Sequence, residues 1–265
     1  MHPECCCRKL VPMSYEDREH ALNSIRENIA RFGYHLYTVS GDQTPRYTYS
    51  IGLSPKLGHE LILGGGIFFM YKEVGKIIEE IVGRLTAGSV STERVCAVDP
   101  FGTFSLRPSD PSWVTLLMLG ATDFYQRPDI PALQIFPDDE HMTIDVPNMA
   151  VPWSPQSAPI WQWLKEPWTY PVPRKSEAVT DLDSLRGFAV TEACRWEEDY
   201  WELFAGAGPE IPKEEKRVVG LGMLLASDPS LALILDLKIG DGIWREDDLE
   251  WHEWETPEAK GETPA

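Results

Sequence analysis

Histidine and carboxylate side chains occur in the first half of the chain in combinations that suit proton transfer. His59 directly precedes Glu60, while His35 and the pair Asp138-Asp139 lie elsewhere in the same region. A histidine beside a carboxylate can act as a general base when the two side chains converge. His59, Glu60 and His35 are therefore candidate catalytic residues. The alternative is a chance distribution of a few histidines and acids, because no serine-protease, esterase, kinase or zinc-hydrolase pattern accompanies them.

A second set of polar groups lies on a segment that alternates like a strand. Tyr47, Tyr49, Ser50 and Gly52 fall within the run Tyr-Thr-Tyr-Ser-Ile-Gly-Leu. On a strand the tyrosines share one face and the hydroxyls of residues 48 and 50 share the other. Hydroxyls and backbone N–H groups near the glycine can receive a phosphate or a flavin, so these four residues form a candidate ligand site. A core strand with a hydrogen-bonded polar face would give the same pattern.

Two further motifs lack the partners that their chemistry requires. The glycine run 64–66 follows an apolar strand, as a phosphate loop does, but it has neither the P-loop lysine nor the dinucleotide spacing, and it indicates a turn. His2, Cys5, Cys6 and Cys7 are zinc-ligand types, but adjacent cysteine side chains diverge and no second Cys-x-x-Cys completes a tetrahedron. We therefore predict neither a bound metal nor a cofactor.

The C-terminal segment mixes tryptophans with acids. Exposed tryptophans in such a setting can form a protein-binding hot spot. The alternative is that the tryptophans face a core while the acids face water. Because Trp251 and Trp254 are three residues apart, a regular strand cannot place both on one face. The candidate partner-binding residues are Trp244, Asp247, Asp248, Trp251, Trp254 and Glu255.

Hydrophobic periodicity predicts which elements position these residues in the first part of the chain. A helix begins at Ser14, with Asp17 as its capping-box partner, and ends at Gly33. Beyond this helix, segments with strand-type alternation and segments with helical spacing follow one another along the sequence. The predicted elements are strands at 34–39, 46–53 and 60–63, a helix at 71–85, strands at 95–98 and 103–106, a helix at 111–125 and a strand at 132–136.

A proline-rich segment separates this region from the rest of the chain. Seven prolines between residues 147 and 173 exclude a regular helix or central strand, while four tryptophans make the segment too apolar for a free linker. Beyond it the pattern predicts strands at 187–191 and 201–205, a helix within 213–226, a short helix at Asp228-Pro229-Ser230, and a hairpin of 242–245 with 250–255.

The predicted fold class is therefore α+β, with two small domains, each a mostly antiparallel sheet packed with helices. A Pro/Trp-rich strap joins them. The predicted organisation is a flexible Cys-rich arm (1–13), an α+β domain (14–155), a strap and linker (156–184), an acidic α+β domain (185–256) and a frayed tail (257–265).

Charge and apolar content limit the classes of partner. The formal net charge is −18, and residues 181–265 hold 21 acids and 8 bases, a balance of −13. Such a field repels nucleic acid and anionic membranes but attracts a basic protein, with simple solubility as the alternative. No apolar run reaches bilayer length, the N-terminus lacks a signal-peptide core, and five unevenly spaced cysteines do not form a secreted disulfide framework. A cytoplasmic location is predicted.

The first domain resembles a known bacterial family, the domain of unknown function DUF4262. The matching stretches are residues 29–35 (IARFGYH), 47–53 (YTYSIGL), 58–63 (GHELIL), 132–134 (ALQ), 137–139 (PDD) and 152–153 (PW). The usual proline between His59 and Glu60 is absent, and Ser50 is unexpected at its position. The resemblance covers about residues 14–155 and implies no mechanism, because the family has no agreed activity.

The second domain resembles another group, the immunity-protein-thirty-three-like domains. The matching stretches are residues 198–206 (EDYWELFAG), 218–221 (VVGL) and 225–231 (LASDPSL), within about 185–255. Tyr200 departs from the Asp-x-Gly-Trp strand that is common in that group. The resemblance implies neutralisation of a toxin by binding.

Two functional hypotheses follow. The first is an intracellular protein-binding module of the immunity type, whose acidic domain binds a basic protein or toxin. The alternative is a flavin- or small-ligand-binding enzyme that uses the N-terminal domain.

Overall fold

The computed structural model describes residues 15–88, 95–246 and 250–254. The chain divides into two compact units, residues 1–168 and 169–265. Each contains a six-stranded sheet with helices, which confirms the predicted α+β class with two domains. No helix among the described residues has the length and apolar character needed to cross a membrane. The predicted N-terminal arm and C-terminal tail lie outside the described residues.

The sheet of the first unit has the strand order β1-β2-β3-β6-β5-β4. Its β3–β6 pair is parallel, and its other neighbours are antiparallel. The strands are β1 (His35–Val39), β2 (Tyr47–Ile51), β3 (Glu60–Gly64), β4 (Val95–Val98), β5 (Gly102–Pro108) and β6 (Ala132–Pro137).

Helices bury the core of this unit against the sheet. They are α1 (Tyr15–Phe32), α2 (Ser54–Leu57), α3 (Tyr71–Thr86), α4 (Pro111–Leu117) and α5 (Leu119–Tyr125). The apolar stripe of α3 is buried in one cluster with Leu61, Leu63 and Phe104. The single helix predicted at 111–125 is two helices, because the backbone of Met118 leaves the helical region at ψ 44°.

The tryptophans of the proline-rich segment belong to the first unit. Trp161 and Trp163 are buried in a 3₁₀ helix, Pro159–Leu164. The Trp161 indole N–H donates to the backbone oxygen of Asp145 at 3.0 Å, and its ring meets that of Trp113 edge-on at 5.6 Å. These contacts tie the segment to the first unit rather than leaving it as a free linker.

The second sheet has the order β10-β7-β9-β8-β11-β12, with only β7–β9 parallel among its described pairs. Its strands are β7 (Glu177–Asp181), β8 (Glu192–Glu197), β9 (Tyr200–Phe204), β10 (Lys216–Gly220), β11 (Gly242–Arg245) and β12 (Trp251–Glu253). Its helices are α6 (Leu182–Leu185) and α7 (Leu221–Ser227), with 3₁₀ helices at Gly208–Glu210, Lys213–Glu215 and Pro229–Asp236.

Three boundaries in this unit differ from the sequence prediction. β7 lies inside the segment 156–184 that was expected to be strap and linker, and its residues Ala178 and Thr180 are fully buried between two strands. β8 begins at Glu192, beyond the predicted strand at 187–191. The segment 213–226 begins with the 3₁₀ helix Lys213–Glu215 and β10, so its α-helix is the shorter α7. The predicted terminal hairpin is present as β11 and β12.

Candidate functional site

The second sheet has one buried face and one open face. Cross-strand partners point to the same side of a sheet, and alternate residues along a strand also share a side. Ala193, Leu203 and Trp201 lie on one face and are fully buried. Glu192 lies on the other face, opposite Trp244 on β11, and Trp244 is 39% exposed. We call this second side the open face.

The open face contains a cavity of about 360 Å³. Cys194 and Phe204 are almost fully buried beneath it, with Trp196 and Trp254 beside them. The residues that line this acid–aromatic pocket are Glu192, Cys194, Trp196, Glu202, Phe204, Gly208, Pro209, Lys216 and Trp254.

Local backbone features place the two tryptophans at the pocket. A register shift between Arg195 and Glu197 leaves Trp196 as an extra residue in β8, and its indole N–H donates to Glu202 Oε2 at 3.0 Å. The Trp196 and Trp254 ring centroids are 6.3 Å apart. A Cβ at Gly242 would lie 2.3 Å from the Trp254 ring, so glycine allows this indole to rest on β11.

The pocket carries more negative than positive charge. Glu192 Oε2 accepts a hydrogen bond from Gly208 N–H at 2.6 Å, and neither Glu192 nor Glu202 forms an ion pair with any described residue. Burial raises the pKa of the Cys194 thiol to about 11, with further contributions from Glu202, Glu192 and Asp241. The thiol is therefore neutral at physiological pH, and it is neither a good nucleophile nor a good metal ligand there.

The candidate partner-binding tryptophans occupy different environments. Trp244 and Trp254 lie on the open face. Trp251 pairs with Arg245 and shares its face, which is the buried one, and the Arg245 guanidinium lies 4.4 Å from the Trp251 ring centroid. Trp251 therefore covers a buried arginine rather than contributing to the open face. Asp247, Asp248 and Glu255 lie outside the described residues.

Arg245 itself is held by three groups inside the unit. It donates to the Val190 carbonyl at 2.6 Å, to Ser230 Oγ at 3.0 Å and to Asp228 Oδ2 at 3.1 Å. Burial raises the pKa of Asp228, but hydrogen bonds from Ser230 and Arg245 outweigh it and leave that pKa below its usual value.

Glu60, a candidate catalytic residue, is fully buried in the first unit. Its carboxylate accepts hydrogen bonds from the Ser50 hydroxyl at 2.6 Å and the Tyr125 hydroxyl at 2.5 Å. It also accepts from three backbone N–H groups, those of Gly52, Leu53 and Ser54. The Glu60 carboxylate thus connects β3 to the turn that follows β2. No hydrogen bond among the described residues joins this carboxylate to a histidine.

The two candidate catalytic histidines have separate settings. His59 is half-buried and immediately precedes β3. His35 Nδ1 lies 2.9 Å from Asn28 Nδ2, and burial lowers the pKa of its imidazole. His35 lines an open cleft of about 660 Å³ between the last turns of α1 and α3, together with Tyr34 and Glu79.

A different histidine is paired with a carboxylate in the first unit. His141 Nδ1 lies 2.5 Å from Asp138 Oδ1, and the His141 ring stacks on Phe69 at 5.5 Å. Burial raises the pKa of Asp138, but hydrogen bonds from His141 and Thr103 N–H bring it below its usual value. Asp138, one of the acids considered together with His59, is therefore paired with His141 instead.

The candidate ligand-binding residues on β2 lie inside the first unit. Tyr47, Tyr49 and Ser50 are 7%, 1% and 0% exposed. The Tyr49 hydroxyl accepts from Gly120 N–H at 3.0 Å, and a Cβ at Gly52 would lie 2.8 Å from the Ile29 side chain. Burial and these contacts are those of a core strand with a hydrogen-bonded polar face.

The glycine run after β3 is a turn packed on the main chain. Gly65 has φ +73°, and a Cβ there would lie 2.2 Å from the carbonyl oxygen of Asp145. Asp145 is fully buried and accepts from Ile67 N–H at 3.1 Å and Thr143 Oγ1 at 2.6 Å. Burial raises the pKa of Asp145. The glycine run therefore allows two chain segments to pack closely against each other, which indicates a structural turn rather than a phosphate site.

Of the nine residues that line the pocket, the sequence analysis identified only Trp254, and it missed the charged and aromatic groups Glu192, Cys194, Trp196 and Glu202 among the others. The available signal was the alternation of 192–196 and 200–204, which places acids and aromatics on one face of adjacent strands. The bulge at Arg195/Glu197 shifts the pairing of β8 with β9 at Trp196, and a bulge of this kind has no distinct sequence pattern here.

Comparison with known proteins identifies part of the first unit. Residues 28–143 match the family described as Domain of unknown function (DUF4262). No curated protein and no solved structure gives a significant match to the chain. The match ends before the second unit, so it does not show the resemblance of residues 185–255 to immunity proteins. The predicted DUF4262 resemblance of the N-terminal part is therefore confirmed over residues 28–143.

Proposed function

We propose that the chain is an intracellular protein-binding module whose second unit engages a basic protein through its open face, as an immunity-type protein neutralises a toxin. The observation that carries this proposal is the composition of that face. Trp196, Trp244 and Trp254 are exposed or half-buried there, beside Glu192 and Glu202.

The energetics of such a face favour association. Tryptophan is enriched among binding hot spots, where truncation costs about 2 kcal/mol or more. The two carboxylates have no ionic partner among the described residues, so a cationic group arriving at the face would meet unpaired charge. The −13 balance of residues 181–265 extends this attraction beyond contact distance and would accelerate encounter with a basic partner.

The states of Glu60, a candidate catalytic residue, and of the pocket residue Cys194 give less support to an enzyme. The Glu60 carboxylate is occupied by five donors from the fold. The Cys194 thiol is protonated near neutral pH because its pKa is raised to about 11. Groups held in these states suit structural and binding roles better than proton transfer or nucleophilic attack.

A capture experiment with the full chain tests the proposal. Wild type and Trp244→Ala would be immobilised and exposed to host lysate at low and high salt. Trp244 is on the open face but does not line the pocket. Tyr71→Ala, which removes a 65% exposed aromatic from the first unit, is the matched control.

The expected result is a basic protein captured by wild type and by Tyr71→Ala, with at least tenfold less captured by Trp244→Ala. The same protein, once purified, should bind the wild-type chain directly. Equal capture by all three chains, or no basic protein in any of them, would overturn the proposal.

The cleft beside His35 supports a second candidate, a small-ligand site in the first unit. Its volume of about 660 Å³ lies within the ~300–1,000 Å³ range of ligand pockets. A lowered pKa keeps the His35 imidazole neutral and able to hydrogen-bond at neutral pH. An absorption spectrum of the purified full chain tests for a flavin, and a small-molecule thermal-shift screen against His35→Ala tests the cleft. A colourless protein without a His35-dependent shift removes this candidate.

A further inference from the structure

The acid–aromatic pocket has the size and polarity pattern of a site for one long side chain. Its volume of about 360 Å³ is near the lower end of the range for small-ligand pockets. Cys194 and Phe204 provide an apolar, nearly fully buried base, whereas Glu192 and Glu202 provide charge. A ligand that matches both needs an apolar stem and a polar head, as lysine and arginine side chains have.

The charge of the pocket selects a cation. Of its nine lining residues, Glu192 and Glu202 carry negative charge and Lys216 carries positive charge, which leaves a formal balance of −1. One additional monovalent cation would neutralise the pocket. In each glutamate, Oε2 holds a hydrogen bond, while Oε1 accepts none from the residues that the structure describes. One carboxylate oxygen on each side is therefore available to a new donor.

The pocket already holds one cation against an aromatic ring. The Lys216 ammonium lies 4.7 Å from the Phe204 ring centroid and donates to the Gly208 carbonyl at 3.0 Å. A cation within about 6 Å of an aromatic centroid is attracted by the ring quadrupole, and tryptophan is the most favourable ring. The Trp196 and Trp254 rings offer the same interaction without a cation of their own in any described cation–ring contact.

Geometry favours a guanidinium over an ammonium. The Trp196 and Trp254 rings are inclined at 58°, so they form a wedge that admits a flat group along one ring face. A planar guanidinium can stack on an indole while its N–H groups, which lie in its own plane, reach a carboxylate at the side. Glu202 stands at the side of the Trp196 ring, because the indole N–H of Trp196 donates to it.

We propose that the acid–aromatic pocket binds one arginine side chain of the basic partner, with its guanidinium on the Trp196–Trp254 wedge and paired to Glu202. This inference rests on the proposed function and names the chemical group that the open face recognises.

The direct test uses the full chain and three small probes. N-acetyl-arginine amide, N-acetyl-lysine amide and the neutral isostere N-acetyl-citrulline amide would each be titrated into ¹⁵N-labelled protein. The indole N–H resonance of Trp196, assigned with Trp196→Phe, is the readout. The arginine probe should give a saturable shift with at least tenfold higher affinity than the citrulline probe, and the lysine probe should fall between them. Equal affinity for arginine and citrulline, or no saturable shift with arginine, would overturn the proposal.

Charge variants sharpen the test. Glu202→Gln should weaken arginine binding about tenfold, because a charge-assisted hydrogen bond becomes a neutral one. Lys216→Gln should strengthen it severalfold, because a like charge is removed from the pocket. Glu177→Gln, which removes an exposed acid from β7 outside the pocket, should leave the affinity unchanged. Equal weakening by Glu202→Gln and Glu177→Gln would indicate general charge attraction and contradict a built site.

The failure of this inference can be distinguished from failure of the proposed function. If a basic protein is captured through Trp244 but neither the arginine probe nor Glu202→Gln has an effect, the pocket assignment is wrong and the binding function stands. If the arginine probe binds while no basic protein is captured, the pocket assignment stands for a free guanidinium ligand and the binding function fails.

Discussion

Glu60 in the first unit and Glu202 in the second show two opposite uses of a carboxylate on a sheet. Glu60 is 0% exposed and accepts hydrogen bonds from five donors of its own unit. Glu202 is half-buried, and its one described side-chain hydrogen bond comes from the Trp196 indole. A fully satisfied buried carboxylate stabilises the fold, whereas a partly satisfied carboxylate on an open face is free to serve a partner.

This contrast extends to the aromatic residues. Tyr47 and Tyr49 are buried and stack at 6.2 Å within the first unit, where the Tyr49 hydroxyl has a backbone partner. Trp196 and Trp244 are 43% and 39% exposed on the second sheet. Aromatic surface left in water on a sheet face forgoes burial free energy of about 25 cal/mol per Å², which association with a partner can recover.

The largest expected effect is on Glu60. Glu60→Gln should lower the free energy of unfolding by about 3 kcal/mol or more, because an amide cannot accept from all five donors and leaves buried groups unsatisfied. Glu202→Gln, the matched change on the open face, should stay within about 0.5 kcal/mol of wild type. Urea unfolding followed by circular dichroism measures both. A Glu60→Gln protein as stable as wild type would contradict the structural role assigned to the Glu60 carboxylate. Glu60 would then again be a candidate catalytic residue.

The two terminal tryptophans should separate into a structural and a binding residue. Trp251→Ala should cost about 2 kcal/mol of unfolding free energy, because it uncovers the buried guanidinium of Arg245. Trp254→Ala should cost less stability but reduce arginine-probe affinity more. Calorimetric unfolding and probe titration on the same samples provide the measurement. If the two substitutions had identical effects on both quantities, the assignment of the tryptophans to different faces would be wrong.

Gly242→Ala offers a smaller change that moves Trp254 without removing it. The added methyl would overlap the indole, which would have to shift away from β11. Arginine-probe affinity should therefore fall severalfold while the protein stays folded, because the indole can move outward. Gly206→Ala is the control, since a Cβ there meets nothing within 4 Å. Unchanged affinity in Gly242→Ala would show that the position of Trp254 is immaterial to the pocket.

Much of the first unit could be predicted from its sequence because its elements have strong local signals. The Val74, Ile77 and Ile81 spacing gives α3, and the alternation of 47–51 gives β2. The role of Glu60 could not be predicted, because its donors include Tyr125, which is 65 residues away in the chain. Spacing along a sequence carries no information about such a contact.

The second unit was less predictable, and for a physical reason. Its strands are short and one carries a bulge, so the alternation of buried and exposed residues is interrupted. The prolines before residue 174 suggested a linker extending to residue 184. Strand β7, which lies within that range, was therefore not predicted. The acidic balance and the tryptophans drew attention to the C-terminal region, but the pocket is assembled from β8, β9, the 3₁₀ helix Gly208–Glu210, β10 and the residue that follows β12.

The smallest predicted effect concerns His35. Burial lowers the pKa of its imidazole, so protonation is less favourable in the folded protein than in the unfolded chain, where the pKa is about 6.5. The stabilising contribution is therefore fully present above about pH 6.5 and is lost as the pH falls through the lower, folded-state pKa. Because His35 is partly exposed, solvent screening limits the loss to about a few tenths of a kcal/mol.

Urea unfolding at about pH 7.5 and about pH 5.5 can detect this loss if wild type is compared with His35→Gln. The glutamine cannot be protonated and retains an acceptor for Asn28, so its unfolding free energy should fall less on acidification. A steeper fall in the variant would mean that the folded environment favours the imidazolium. The cleft would then attract anions, and His35 would resemble the exposed charges of the second unit rather than the satisfied polar groups of the first.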